Sequence, residues 1–252
     1  KTAASSVETF SQLIDYCHNY TVNDDNQNIE QLVSWDVSDM LVNYGLVCGS
    51  VTIGGESGDD NTKLSADKDL LKKSLTEFVK LRNEFGIVRT ETTLDSCADL
   101  FAQGKLAYTI TDVSHINTIA ESGISYGVCS IPALLDDMQI ENISENLCAF
   151  VNPYSSDVQT AKAVANALSY DYAAAVNSTT GLLSSRTISI NSKEYKDTYG
   201  KIYEIYSTAD VKAKFMGAAY FYTKFDIMLH QVWDGTDIET SVNSFLSELK
   251  VQ

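Results

Sequence analysis

Apolar residues recur along this chain at helical spacing in some stretches and as short unbroken runs in others, and the two patterns predict different elements. Over residues 5–17, Val7, Phe10, Ile14 and Cys17 share one helical face behind Ser5 and Glu8, which have capping-box spacing. A polar turn at 24–28 separates this helix from an apolar segment at 35–47 that reads as helical or mixed, with Trp35 at its start just after a loop. The polar GGESGDD at 54–60 predicts a flexible loop. Ser65 then stands as the cap of a helix whose buried stripe is Leu71, Leu75, Phe78 and Val79, closing near Gly86.

Further along, the pattern predicts a short helix at 98–103 stopped by Gly104, a buried strand at 106–111, a helical stretch at 115–120 and a strand at 126–131 ending at Pro132. A strand at 147–151 comes next, then a helix at 157–168 carrying Val158, Ala161, Val164, Ala165 and Leu168. Near the C-terminus, Ala218, Phe221, Phe225, Met228, Leu229 and Val232 form one stripe ending by Gly235. Thr236 and Glu239 then have the spacing of a capping box for Ile238, Val242, Phe245 and Leu249. Alternating strands and helices predict an α/β architecture.

Composition narrows the function classes. The 252 residues, 44% hydrophobic, suffice for a globular core. With 18 Lys plus Arg against 34 Asp plus Glu, the net charge of −16 makes nucleic acid a poor expected partner, because so acidic a chain gains little from counterion release. No run approaches the ~18–20 apolar residues of a membrane helix, and Lys1 opens without the charged and apolar regions of a signal peptide, so a soluble chain without targeting information is expected.

Reactive chemistry is poorly represented. Cys17, Cys48, Cys97, Cys129 and Cys148 are widely spaced with no C-x-x-C pair, and they read mostly as small core hydrophobes. The sequons at Asn19, Asn142 and Asn177 matter only in a eukaryotic secretory host. His18, His115 and His230 show no metal-ligand spacing, and the adjacent pairs Asp24–Asp25 and Asp59–Asp60 read as solvated turns, not a glycosidase pair. The run Asp24, Asn26, Asn28, Glu30 lacks the glycine and glutamate of a calcium loop. Ser65 and Lys68 match a bare S-x-x-K that the cap reading of Ser65 explains. Neither enzyme activity nor a metal or cofactor is expected.

Residues 100–132, LFAQGKLAYTITDVSHINTIAESGISYGVCSIP, resemble the central signature of maltose-binding-protein-like solute receptors, the extracellular solute-binding protein family 1. The likeness continues in order through 150–176 and ends at FYTKF and WDGTDIETSV within 218–249, which resemble that family's closing helix pair. Upstream, 7–17 resembles a helix of the same family. The resemblance implies a periplasmic-binding-protein-like (type II) α/β lobe in an incomplete two-lobe architecture, with the greater part of an N-terminal lobe outside this chain. Residues 1–132 would be the first part of the C-terminal lobe, 133–176 a segment returning to the N-terminal lobe, and 177–252 the helical closing part.

That resemblance further implies an extracytoplasmic receptor, periplasmic or a cell-surface lipoprotein, that hands a small carbohydrate to an ABC transporter permease. Membrane association would come only through a lipid anchor outside this chain. The alternative is a non-transport cell-surface sensor or interaction domain of the same fold. A sugar presents C–H faces to aromatic rings and hydroxyls to carboxylates or amides. By family register, Trp35 and Tyr222 fall at stacking positions, with Tyr220 a nearby substitute. The loop after the 106–111 strand brings Asp112 and His115 to the ligand, where many relatives carry tryptophan; this departure argues against maltodextrin specificity in particular.

Overall fold

The segment Gln31–Trp35 forms strand β1 and pairs in parallel with Leu106–Ile110, strand β4, in a register that sets Val33 opposite Tyr108 and Trp35 opposite Ile110. This two-stranded sheet is the spine of the computed structural model, which describes residues 7–23, 26–138, 142–184, 186 and 193–249. Two further pairs complete the sheets among the described residues: the antiparallel hairpin β2 (Val51–Gly54) with β3 (Asp60–Ala66), and β5 (Ile143–Ser144) parallel to β6 (Asp210–Val211).

Helices close around β1 and β4. Helix α1 spans Phe10–His18, α2 Met40–Val47, α3 Lys68–Phe85, α4 Leu94–Ala102 and α5 Ile116–Glu121. After β5 come α6 (Val158–Asn166), a π-helical turn at Ala167–Asp171, α7 (Ala173–Thr180), α8 (Lys193–Ser207), α9 (Ala218–Trp233) and α10 (Ile238–Leu249). The main core joins α1, α2, α3, α9 and α10 to β1. Leu71, Leu75 and Phe78 of α3 and Phe221, Phe225, Met228 and Leu229 of α9 are all buried, as their spacing predicts. A smaller cluster of Ile116, Tyr199 and Ile202 joins α5 to α8.

Several elements differ from the sequence pattern, each for a local reason. Residues 31–35 are a strand, so Trp35 ends β1 and does not begin a helix; Asp39 caps α2 by accepting from the Val42 N–H at 2.8 Å. Ser65 lies in β3, and Asp67 caps α3 through the Leu70 N–H. Thr9 caps α1, since its hydroxyl accepts from Gln12; Ser5 lies outside the described residues. Asp237, not Thr236, caps α10, which frees Glu239 to pair with Lys68 and Lys72. The helix expected at 98–103 begins earlier, at Leu94, because Thr93 and Ser96 form a reciprocal capping box.

The strands expected at 126–131 and 147–151 are not paired into any ladder. The first has no regular secondary structure and leads to a single bridge between Thr9 and Ala133. From 145 to 172 no residue is buried, and Leu147, Phe150, Tyr154, Val164, Leu168, Tyr170 and Tyr172 are all exposed. Helix α6 has the apolar spacing of a packed helix, yet none of its residues is buried.

Trp35 has no exposed surface. Its ring lies 5.9 Å from Phe10, 6.2 Å from Phe85 and 6.0 Å from Trp233, and its Nε1–H donates to Asn43 Oδ1 at 3.1 Å. Trp35→Ala is therefore expected to destabilise the fold by about 3–5 kcal/mol, the range for emptying a buried aromatic site, measured as a fall in the urea midpoint.

Candidate functional site

In a parallel α/β arrangement the carboxyl ends of the strands point at the loops that carry ligand chemistry, because there the chain leaves the sheet and helix N-termini gather. β1 ends at Trp35 and β4 at Ile110, side by side. The chain leaves β1 through Asp36, Val37, Ser38 and Asp39, and it leaves β4 through Thr111, Asp112 and a tight helical turn at Val113–His115 that runs into α5.

Each acidic residue here is fixed by the backbone it caps. Asp36 accepts from Ser38 N–H through Oδ1 (2.8 Å) and from Leu94 N–H through Oδ2 (3.1 Å), which ties the end of β1 to the start of α4. Asp39 is the α2 cap. Burial pushes its carboxyl above the ordinary aspartate range; the Val42 N–H opposes that, and the charges of Asp36 and Asp112 add to it. Asp112 Oδ1 accepts from Ser114 N–H (2.8 Å) and Ser114 Oγ (2.5 Å).

His115 sits between two carboxylates, Nε2 at 2.9 Å from Asp95 Oδ1 and Nδ1 at 3.2 Å from Asp112 Oδ1, with the Thr111 hydroxyl 3.1 Å from Nδ1. Burial lowers its pKa, but the bonds and charges of Asp95 and Asp112 outweigh that, and the net shift is upward. An imidazolium, with both ring nitrogens donating, suits two ionised acceptors.

A third edge comes from α9. Asp226 and His230, one turn apart, stand 3.2 Å from each other, and buried polar atoms on both, Asp226 Oδ1 and His230 Nε2, lack a hydrogen-bond partner. Burial raises the Asp226 pKa, His230 opposes this, the charge of Asp39 adds to it and Arg89 opposes it. Arg89 is bound to Asp234 by three contacts of 2.6–3.2 Å, and its carbonyl accepts weakly from Ser38. The neighbouring open depression of about 380 Å³ is lined by Arg82, Gly86, Arg89 and Trp233. Its two guanidiniums are already committed to the Trp233 carbonyl and to Asp234.

Together, Asp36, Asp39, Asp95, Asp112 and Asp226 make this end of the sheet rich in acceptors. No group of three or more metal-ligating side chains occurs among the described residues. The face can accept hydrogen bonds from a polyhydroxylated or cationic solute.

Of the five residues that the sequence marks as candidates, the structure brings together Asp112 and His115, with the Asp112 side chain 53% exposed. Trp35 lies directly beneath, fully buried, so no face of its ring is open for stacking. Tyr222 is also buried; its hydroxyl accepts from the Ala213 N–H at 3.0 Å, and Tyr44 packs on its ring at 5.5 Å. Tyr220 is 40% exposed but turns to α10, donating to Glu248 with Lys224 5.3 Å above its ring. The expected stacking roles of Trp35 and Tyr222 thus give way to packing roles. Asp36, Asp39, Asp95, Asp226 and His230 are not distinguished by sequence pattern; the cap-like spacing of Asp39 before α2 is the one usable signal.

The fold is that of the periplasmic-binding-protein-like sugar receptors. The Thermus thermophilus maltotriose-binding protein, solved with maltotriose, superposes over 98% of this chain with a TM-score of 0.71 at 13% identity. The maltose-maltodextrin-binding protein of Alicyclobacillus acidocaldarius gives 98%, 0.70 and 13%. The maltose/maltodextrin-binding domain from Bdellovibrio bacteriovorus, bound to maltotriose, gives 99%, 0.70 and 12%. The chain spans 66–68% of the length of these proteins. No family model and no curated protein matches the sequence.

Raised carboxyl pKa values have a definite sign in stability. A folded Asp39 that holds its proton more tightly than in the unfolded chain is destabilised once ionised, so its contribution improves as pH falls through the raised value toward about 3.9. Asp39→Asn keeps the cap and removes the charge. It is expected to raise the melting temperature at pH 7 and to lose that advantage near pH 4, read by thermal denaturation across pH.

Proposed function

We propose that this chain is the ligand-gripping part of an extracytoplasmic solute receptor, which holds a small carbohydrate at the carboxyl ends of β1 and β4 and performs no chemistry on it. The observation that carries the reading is the turn that holds the exposed Asp112 against the largely buried His115, beside Asp36 and Asp39, at the switch from strands to loops in a fold shared with maltotriose-binding proteins. Carboxylates suit the task, since a hydroxyl donating to a charged acceptor contributes about 1.5–3 kcal/mol. Scarcity of exposed aromatics at this face favours a ligand held through its hydroxyls over one held by ring stacking.

Residues 133–176 are read as the segment that returns to a second lobe. The unburied apolar side chains of 145–172 and the two-thirds length relative to the superposed receptors support this. In the complete receptor the second lobe would close over the ligand by hinge motion and present the closed form to an ABC transporter permease. No helix among the described residues is long and apolar enough to cross a membrane. Membrane association would come from a lipid anchor.

A calorimetric titration with maltotriose and other neutral oligosaccharides tests the reading, on this chain and on a form carrying the second lobe. Asp112→Ala is expected to weaken binding by about tenfold or more, with a lower melting temperature of the free protein from the lost cap on Ser114. Unaltered sugar affinity in that variant, or binding of amino acids or peptides in place of sugars, would sink the proposed site or ligand class.

A further inference from the structure

The turn that carries Asp112 and His115 is held from behind by the end of α7. Gly181 follows that helix with φ +74°, and a Cβ at this position would stand 2.6 Å from the Val113 carbonyl oxygen, 2.8 Å from Ile116 Cγ2 and 3.4 Å from the Ser114 carbonyl oxygen. No side chain fits between α7 and the turn. Around this contact the chain is tied twice more: Asn117 Nδ2–H donates to the Ser178 carbonyl at 2.9 Å, and buried Asn177 donates to the Leu182 carbonyl at 2.7 Å. Ile116, at the start of α5, also packs with Tyr199 and Ile202 of α8, so the turn is clasped between two helices.

We infer that Gly181 is a positioning residue for the ligand surface: its missing side chain lets the end of α7 seat on the Val113–His115 turn and hold Asp112 and His115 in their ion-paired geometry. This rests on the reading of that turn as a ligand surface. The same contact ties the site to the exposed module of α6, the π-helical turn and α7, whose own apolar side chains lie open.

Two effects of a side chain at Gly181 must be separated, the cost of a left-handed φ and the push on the turn. Gly123, at the end of α5, has φ +75° and nothing within 4 Å of a Cβ, so Gly123→Ala carries the first effect without the second. The readout is the His115 titration midpoint, followed by NMR of the imidazole protons in the free chain and assigned with His115→Asn. Asp95 and Asp112 are the charged groups that face this ring, with the Thr111 and Ser114 hydroxyls beside Nδ1.

Gly181→Ala is expected to lower the His115 midpoint toward the ordinary imidazole value of about 6.5, while Gly123→Ala leaves it in place. Asn117→Ala, which removes only the tie to Ser178, is expected to lower it by less, and it decides the matter if Gly181→Ala does not fold. A His115 midpoint unmoved in the Gly181 variant, or in the Asn117 variant where that is the one that folds, overturns the inference, as does an equal shift in the Gly123 control. Because no ligand is present, a positive result together with failed sugar binding would keep the positioning role and discard the carbohydrate reading.

Discussion

Trp35, the last residue of β1, is locked among Phe10, Phe85 and Trp233, and this interlock sets where the strand stops and the acidic loop of Asp36 and Asp39 begins. Three helices meet at the ring: α1 through Phe10, α3 through Phe85 and α9 through Trp233. Its indole N–H reaches Asn43, whose amide in turn donates to the Asp39 carbonyl at 2.6 Å, so the start of α2 is held by the same residue. Asp36 comes immediately after and binds the first turn of α4. The positions of Asp36 and Asp39 are therefore consequences of core packing, and a ligand surface built on them is as rigid as the core beneath it.

This rigidity bears on the proposed recognition in two ways. The acidic residues at the strand ends are mostly occupied as helix caps, so the backbone orients them before any solute arrives and little side-chain freedom is lost on binding. Arg89 and His115 nearby are each paired with carboxylates, which leaves the face rich in acidic groups. Aromatic surface, the usual complement to a sugar ring, is withheld here because Trp35 and Tyr222 are committed to packing.

Much of the helical framework is legible in the sequence, since the stripes of α3, α9 and α10 have a period that only a helix satisfies with one buried face. Their caps are less so: Ser65, Ser5 and Thr236 have the right chemistry, but Asp67, Thr9 and Asp237 stand one or more residues nearer the helix and take the bond. Of β1 only Trp35 is read, as the start of a helical or mixed segment, because it runs into the apolar 40–47 stretch, and β3 escapes notice because its residues are polar and mostly exposed. Asp112 and His115 are marked only by the family resemblance at the loop after β4. Trp35 and Tyr222 mislead because residue type alone does not separate a ring that stacks on a ligand from one that seals a core. Tyr222 lies off the main α9 stripe, yet the chain at Ala213 folds over it and buries it.

The most direct test of where ligand is held is a ¹⁵N-amide NMR titration of this chain with maltotriose, mapping the shifts residue by residue. A ligand surface at the strand ends predicts perturbations concentrated at 36–39 and 111–116, with those at 226–230 weaker and α6 silent. Perturbations centred instead on the Arg82–Arg89 depression or on α6, with 36–39 and 111–116 unmoved, would contradict it.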